Sequence, residues 1–150
     1  MLQSSRFLLA TLWVGALWAV GFLVAPTLFA TLADRALAGA IAGNLFRVVA
    51  WLSLAIGAVL LLLQVLAERR ARLPYSRSTR YLVIAMMVCT VLGYFCLQPF
   101  MAELRIALYS LQDAAQIADA KRQFGLFHGA STAIYIVQSL LGAALILKLR

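Results

Sequence analysis

A long apolar segment without charged residues is the feature that most constrains how this chain can fold. Residues 124–147 contain no Asp, Glu, Lys or Arg, and an α-helix of about 20 apolar residues is long enough to cross a bilayer. Three similar segments precede it, at 7–32, 45–67 and 81–99. The chain is 65% hydrophobic and 12% charged, whereas soluble domains contain about 25% charged residues. We therefore predict an integral membrane protein with four spans.

The segment between the third and fourth spans has a different pattern. Apolar residues recur at helical spacing over residues 100–122, and polar residues occupy the other side. This pattern predicts an amphipathic helix, which either continues the third span or lies at the membrane interface. The expected fold class is thus all-α: a membrane four-helix bundle with this additional helix, forming a single domain over residues 1–150.

Small residues and one proline predict how the spans pack. Glycines allow close approach of membrane helices, and we expect this role for Gly15, Gly21, Gly57, Gly93 and Gly142. Pro26 is expected to bend the first span, because the carbonyl group four residues earlier loses its usual donor. Residues 33–44 are expected to form a connection with helical propensity.

The basic residues are distributed unequally over the two sides of the predicted bundle. With four spans, both termini and residues 68–80 share one side, which holds eight of the thirteen Lys and Arg residues. Because positive charge concentrates in cytoplasmic connections, we expect both termini in the cytoplasm. We also expect the membrane to be a bacterial inner membrane. The basic residues lie in short connections rather than on a polar face, which argues against nucleic-acid binding.

The fourth span carries the chain's one histidine on a polar helical face. The face comprises His128, Thr132, Tyr135 and Ser139, with Ser131 and Gln138 beside it. Ionisable residues within spans usually face a bundle interior or a cavity, so this face is a candidate proton relay or ligand site near the outer entrance. The alternative, which we favour, is a neutral histidine hydrogen-bonded to a neighbouring helix near the headgroups. We expect Gln98, His128, Thr132, Tyr135 and Gln138 to converge on the interior towards the outer leaflet.

Sulfur-containing side chains recur on the third span. At helical pitch Met86, Cys89 and Cys96 fall within about 80° of each other, and soft sulfur ligands suit Cu(I). The alternative, ordinary apolar packing, is favoured because no CxxC or repeated MxxxM is present. Glu103 is a further candidate, which pairs with Arg47 or His128 or is simply solvated. We therefore predict no defined metal site and no cofactor.

Catalytic motifs are missing from the sequence. GxSxG, HExxH, Walker and GxGxxG patterns do not occur, so we do not expect an enzyme. The expected function is that of a structural or accessory protein, in contact with the lipid bilayer and with a membrane-protein partner or a second copy. The alternative is a small transporter or binding protein for a soft metal ion or an apolar solute.

Four sequence segments resemble a known family. They are RQFGLFHGAS (122–131), CLQP (96–99), GNLFRVVAW (43–51) and WVGALWAVGF (13–22). With them the chain resembles the transmembrane-protein-205-like family, a domain family of unknown function that is distantly similar to copper-resistance D-type membrane proteins. The resemblance implies a compact four-span protein, and its motif transfers to Pro99, Phe124, Phe127, His128, Gly129 and Ser131. Relatives often have asparagine where this chain has Tyr135, which implies an altered role at that position.

Overall fold

The computed structural model describes residues 2–71 and 77–150, and no β-strand occurs in these two ranges. The first membrane helix consists of α1 (Leu2–Trp18), a π-helical segment (Ala19–Val24) and α2 (Ala25–Thr31). The second is α3 (Arg35–Ala71). The third consists of α4 (Arg77–Thr90), a π-helical segment (Val91–Cys96) and α5 (Leu97–Ser110), and the fourth is α6 (Ala114–Leu149). Each is long and apolar enough to cross a membrane, which confirms the all-α four-span prediction.

Two aspartates define where the helices after the short connections begin. Oδ1 of Asp34 accepts hydrogen bonds from the backbone N–H groups of Ala36 (2.8 Å) and Leu37 (3.2 Å), and Asp113 accepts one from Ala115 (3.3 Å). These are N-caps, which satisfy backbone donors that lack a partner in the first turn of a helix. The predicted connection at 33–44 is therefore mostly the first turns of α3.

The predicted additional amphipathic helix is not a separate element. Residues 100–110 continue α5, the backbone is extended at Leu111, and α6 begins after the Asp113 cap. The predicted amphipathic segment of residues 100–122 is divided between two helices that pack against each other, α5 and α6. Its first part follows the alternative in which it prolongs the third span.

Each π-helical segment lies just before a proline. Pro26 and Pro99 lack an N–H group, so the usual bond to the carbonyl four residues earlier cannot form. At the end of each segment a backbone N–H reaches five residues back, from Ala25 to the carbonyl of Val20 and from Leu97 to that of Leu92. The wider turns change which residues face inward beyond each proline.

Successive membrane helices run in opposite directions, as polar contacts near their ends show. Lys148 of α6 donates to the Ser78 hydroxyl at the start of α4 across 2.8 Å, and Arg80 donates to Glu68 near the end of α3 across 2.5 Å. We call this the termini end, and the end with the two short connections the connection end. Residues 72–76 of the arginine-rich segment lie outside the described residues.

The hydrophobic core occupies the half of the bundle towards the termini end. It consists of Ala10, Trp13, Val14, Leu17, Val49, Ile56, Leu60, Val83, Met86, Leu145 and Leu149. Glycines permit this packing: a Cβ on Gly142 would lie 2.8 Å from Val14 and 3.3 Å from Met86, and one on Gly57 would lie 2.6 Å from Met87. The expectation for Gly15 was wrong, because its position is open to the outside.

Candidate functional site: a cavity between the membrane helices

A cavity of about 660 Å³, partly open to the outside, lies between the four membrane helices in the half towards the connection end. On the first membrane helix it extends from Leu17 to Phe29, a helical rise of about 18 Å. Most of its wall is apolar. The apolar lining includes Leu17, Phe22, Phe29, Phe46, Val49, Met101, Ile134 and Ile136. The space between the helices therefore suits a hydrophobic molecule far better than a hydrated ion.

Ser53 forms one part of the cavity floor and connects the first two membrane helices. Its hydroxyl accepts a hydrogen bond from the Trp13 indole Nε1 across 2.8 Å and donates to the carbonyl of Val49 across 2.7 Å. Trp13 and Ser53 are both fully buried. A buried indole N–H needs a partner, and Ser53 supplies it from within an otherwise apolar helix.

The fourth membrane helix is tied into the same floor at two points. Gln138 donates from Nε2 to the Thr90 hydroxyl across 2.9 Å, and Thr90 donates to the carbonyl of Met86 across 3.1 Å. The Tyr135 hydroxyl donates to the carbonyl of Leu17 across 2.5 Å. The hydroxyl groups of Ser53, Thr90 and Tyr135 thus all donate to acceptors within the protein. None of these three protons is available to a polar ligand.

Basic and aromatic side chains gather at the mouth of the cavity. Arg105 donates to the carbonyl of Gly39 at 3.4 Å and lies 5.8 Å from the ring centre of Phe124. Phe124 in turn stacks on His128, with ring centres 6.0 Å apart and planes inclined by 6°. Arg35, from the first turn of α3, lines the same mouth. The mouth therefore combines two guanidinium groups with an imidazole.

Most of the predicted polar face lines this cavity. Gln98, His128, Ser131, Thr132, Tyr135 and Gln138 all contribute to its wall. His128 itself is exposed, and among the described residues its ring stacks on Phe124 without a hydrogen bond to a neighbouring helix. The favoured alternative of a histidine bonded to another helix is therefore not what the geometry shows.

Three other predicted candidates lie away from the cavity wall. Gly129 is exposed, and a Cβ placed there would meet nothing within 4 Å. Pro99 and Glu103 are also exposed. Among the described residues Glu103 forms no ion pair with Arg47 or His128. Pro99 and Glu103 follow a π-helical segment, which changes the angular spacing that α-helical periodicity assumes. Gly129 lies in the regular helix α6, and only the resemblance implied a role for it.

The sulfur-containing residues of the third membrane helix do not share one face. Met86 is fully buried against the core, Cys89 lines the cavity, and Cys96 is exposed. The π-helical segment Val91–Cys96 rotates Cys96 away from the direction that a regular α-helix would give it. In residues 2–71 and 77–150, no three His, Cys, Asp or Glu side chains are close enough together to hold a metal ion.

Arg35 and Arg105 are site residues that the sequence interpretation treated only as topological charges. They lie on different helices, and nothing in their local sequence indicates that they line one cavity. Ser53 also went unrecognised, although a lone hydroxyl in the middle of a long apolar segment was a usable signal. Buried polar side chains of this kind normally have a hydrogen-bond partner.

The fold and the site define a multi-pass membrane protein with an internal, largely apolar cavity. The chain belongs to the DUF4149 family, described as a domain of unknown function, whose family model matches residues 8–110. The match covers the first three membrane helices and ends before α6. Neither a curated protein nor a solved structure matches the chain. The comparisons give no support to the transmembrane-protein-205-like or copper-resistance D-type assignment.

Proposed function

We propose that this protein binds an apolar solute within the membrane, for carriage or storage. The observation that carries the proposal is the cavity of about 660 Å³ between the four helices. Its volume falls within the range of about 300–1,000 Å³ that is typical of small-molecule sites. Packing of membrane helices normally leaves few voids of that size, so this space is a feature of the fold that calls for an occupant.

The dimensions of the cavity favour a chain-like occupant. Its length along the first membrane helix, about 18 Å by helical rise, slightly exceeds one leaflet of a hydrocarbon core that is about 30 Å thick. A hydrocarbon chain extended along the helices fits this space. The prediction that the protein is not an enzyme is compatible with such a role and stays a prediction.

The soft-metal alternative has less support. Met86, Cys89 and Cys96 face three different environments, whereas a Cu(I) site needs its sulfur ligands to converge.

The role as an accessory membrane protein stays a prediction as well. Large apolar side chains are exposed on all four membrane helices, as lipid contact alone requires, so their exposure does not distinguish a protein partner or a second copy from lipid.

The orientation proposed from the charges places the cavity in the outer half of a bacterial inner membrane. Both termini and the arginine-rich connection are then cytoplasmic, in accordance with the excess of Lys and Arg there. The mouth with Arg35 and Arg105 opens towards the periplasm. Labelling of Ser110→Cys in a variant without native cysteines tests this: a membrane-impermeant maleimide added to intact spheroplasts should react, and lack of reaction until lysis would contradict the orientation.

Photo-crosslinking in nanodiscs tests solute binding directly. The probe is a long-chain alcohol with a diazirine near its methyl end, and mass spectrometry of the digested protein identifies the labelled residues. We expect labelling of cavity-lining residues, which excess unlabelled alcohol should suppress. Labelling confined to residues that face lipid, with no competition, would refute the proposal.

A matched pair of tryptophan substitutions on the first membrane helix serves as control. Ala25 lines the cavity, whereas Ala30, five residues further along the same helix, is exposed and does not. Ala25→Trp should fill part of the space and reduce cavity labelling severalfold, while Ala30→Trp should leave it unchanged. Equal melting temperatures of the two variants would show that the difference reflects lost space rather than lost fold.

A further inference from the structure

We infer that the solute is an anionic amphiphile with a single hydrocarbon chain, whose charged head binds between Arg35 and Arg105 at the mouth of the cavity. The inference rests on the proposed function and specifies the chemical class of the ligand. The head is a carboxylate or a phosphate monoester, since both are anionic groups that guanidinium side chains bind through paired hydrogen bonds.

The charge of the lining is the first observation. Among the residues that line the cavity, the formally charged ones are Arg35 and Arg105, and no Asp or Glu is present. In the described part of the chain, no carboxylate lies within ion-pair distance of either guanidinium group. Two positive charges at the rim of an apolar space, without a counter-ion from the protein, favour an anion from outside.

The position of Arg105 is the second observation. This side chain is half-buried, with one donor directed at the carbonyl of Gly39 and its guanidinium plane near the ring of Phe124. A guanidinium group has five N–H donors, so several stay available for a ligand. Its contacts with Gly39 and Phe124 hold the group at the mouth, and less conformational freedom is therefore lost when an anion binds.

The gradient of polarity along the cavity is the third observation and sets the direction of the ligand. The hydroxyl groups of the floor donate to acceptors in the protein, as Ser53 does to Val49 and Tyr135 does to Leu17. At the opposite end, Arg35 and Arg105 bring guanidinium N–H donors to the mouth. An amphiphile therefore binds with its methyl end on the floor and its head at the mouth.

Competition against the diazirine alcohol tests the inference in nanodiscs of phosphatidylcholine, which contribute no net surface charge. The competitors are palmitate, palmitoyl lysophosphatidate and hexadecanol, at alkaline pH so that the carboxyl group is ionised. We expect at least one of the two anions to compete about tenfold better than the alcohol, as expected for charge-assisted hydrogen bonds. A preference for palmitate identifies a carboxylate head, and a preference for lysophosphatidate identifies a phosphate head.

Charge-removing variants complete the test. In Arg35→Gln/Arg105→Gln the three competitors should become equivalent while alcohol labelling of the cavity persists. Lys121→Gln removes a charge from the same end, at an exposed position outside the cavity, and should keep the preference. Equal competition in the wild-type protein, or a preference that survives the double substitution, would overturn the inference and leave the proposed function intact. Loss of cavity labelling in the wild-type protein would instead refute the proposed function.

Discussion

The Tyr135 side chain reaches from the fourth membrane helix to the first and donates its hydroxyl proton to the backbone carbonyl of Leu17 across 2.5 Å. The ring packs edge-on against Phe46 and Phe22, with centres 5.4 Å and 6.2 Å away. It also covers Gly21, where a Cβ would overlap the ring. One residue thus closes the cavity floor and fixes the spacing of two helices.

Removal of the Tyr135 hydroxyl should weaken the bundle without disturbing its shape. Tyr135→Phe keeps the ring and loses the bond to Leu17, so we expect a loss of about 0.6–1.5 kcal/mol in stability. Thermal unfolding in mild detergent, followed by size-exclusion chromatography, measures the effect. Tyr81→Phe is the control, since Tyr81 is 68% exposed; equal melting temperatures of the two variants would contradict the role of this bond.

Two glycines of the first membrane helix should respond in opposite ways to alanine. Gly21→Ala places a methyl group against the Tyr135 ring and should destabilise by about 1–3 kcal/mol through overpacking. Gly15→Ala meets nothing within 4 Å and should be neutral or stabilise by up to about 1 kcal/mol, because alanine favours helix. The same unfolding assay distinguishes them, and similar shifts would show that Tyr135 does not rest on Gly21.

Leucine substitutions at two glycines of α6 should differ in stability, because one glycine is packed against other helices and the other is open. Gly142→Leu forces atoms into Val14 and Met86 and should destabilise by about 1–3 kcal/mol or more. Gly129→Leu projects into open space and should change stability little, as should the mild core change Leu141→Val. Comparable yields and melting temperatures for all three variants would mean that Gly142 does not face the core.

Ser53→Ala should leave a buried indole donor without its partner. Trp13 loses the acceptor 2.8 Å away, and an unsatisfied buried donor costs about 1–3 kcal/mol. We expect lower stability together with a changed tryptophan emission, which is assigned to Trp13 by comparison with a Trp13→Phe variant. Ser110→Ala is the control because its hydroxyl is exposed. Unchanged emission and stability would contradict the observed bond.

The hydrophobic pattern of the sequence was sufficient to predict four membrane helices, because lipid imposes the same length and apolarity on every span. Helix ends were harder to predict. The starts of α3 and α6 depend on the side-chain caps Asp34 and Asp113, and a hydropathy average does not detect a single capping carboxylate. For that reason the hydropathy pattern did not show that residues 35–44 belong to α3, or that residues 100–122 are divided between α5 and α6.

The candidate site was predictable only where the helix is regular. In α6 an α-helical projection placed Ser131, Tyr135 and Gln138 on or beside one face, and all three line the cavity, whereas Ser139 of the same predicted face is buried away from it. In the third membrane helix the same projection failed for Cys96, because the π-helical segment before Pro99 changes the angular spacing. That Arg35 and Arg105 line the same cavity depends on how two helices cross, and no local pattern encodes that.

The bundle has a packed core towards the termini end and a cavity towards the connection end, and this difference affects how the protein should behave during purification. Near the termini, side chains of all four helices pack against each other; towards the connections, a cavity lies between the helices. A molecule in that space adds contacts which the chain itself does not provide, and tight binding raises the melting temperature by mass action. Delipidation during purification should therefore lower heat resistance, and a screen of added amphiphiles for recovered heat resistance would find the natural occupant without any prior assay of function.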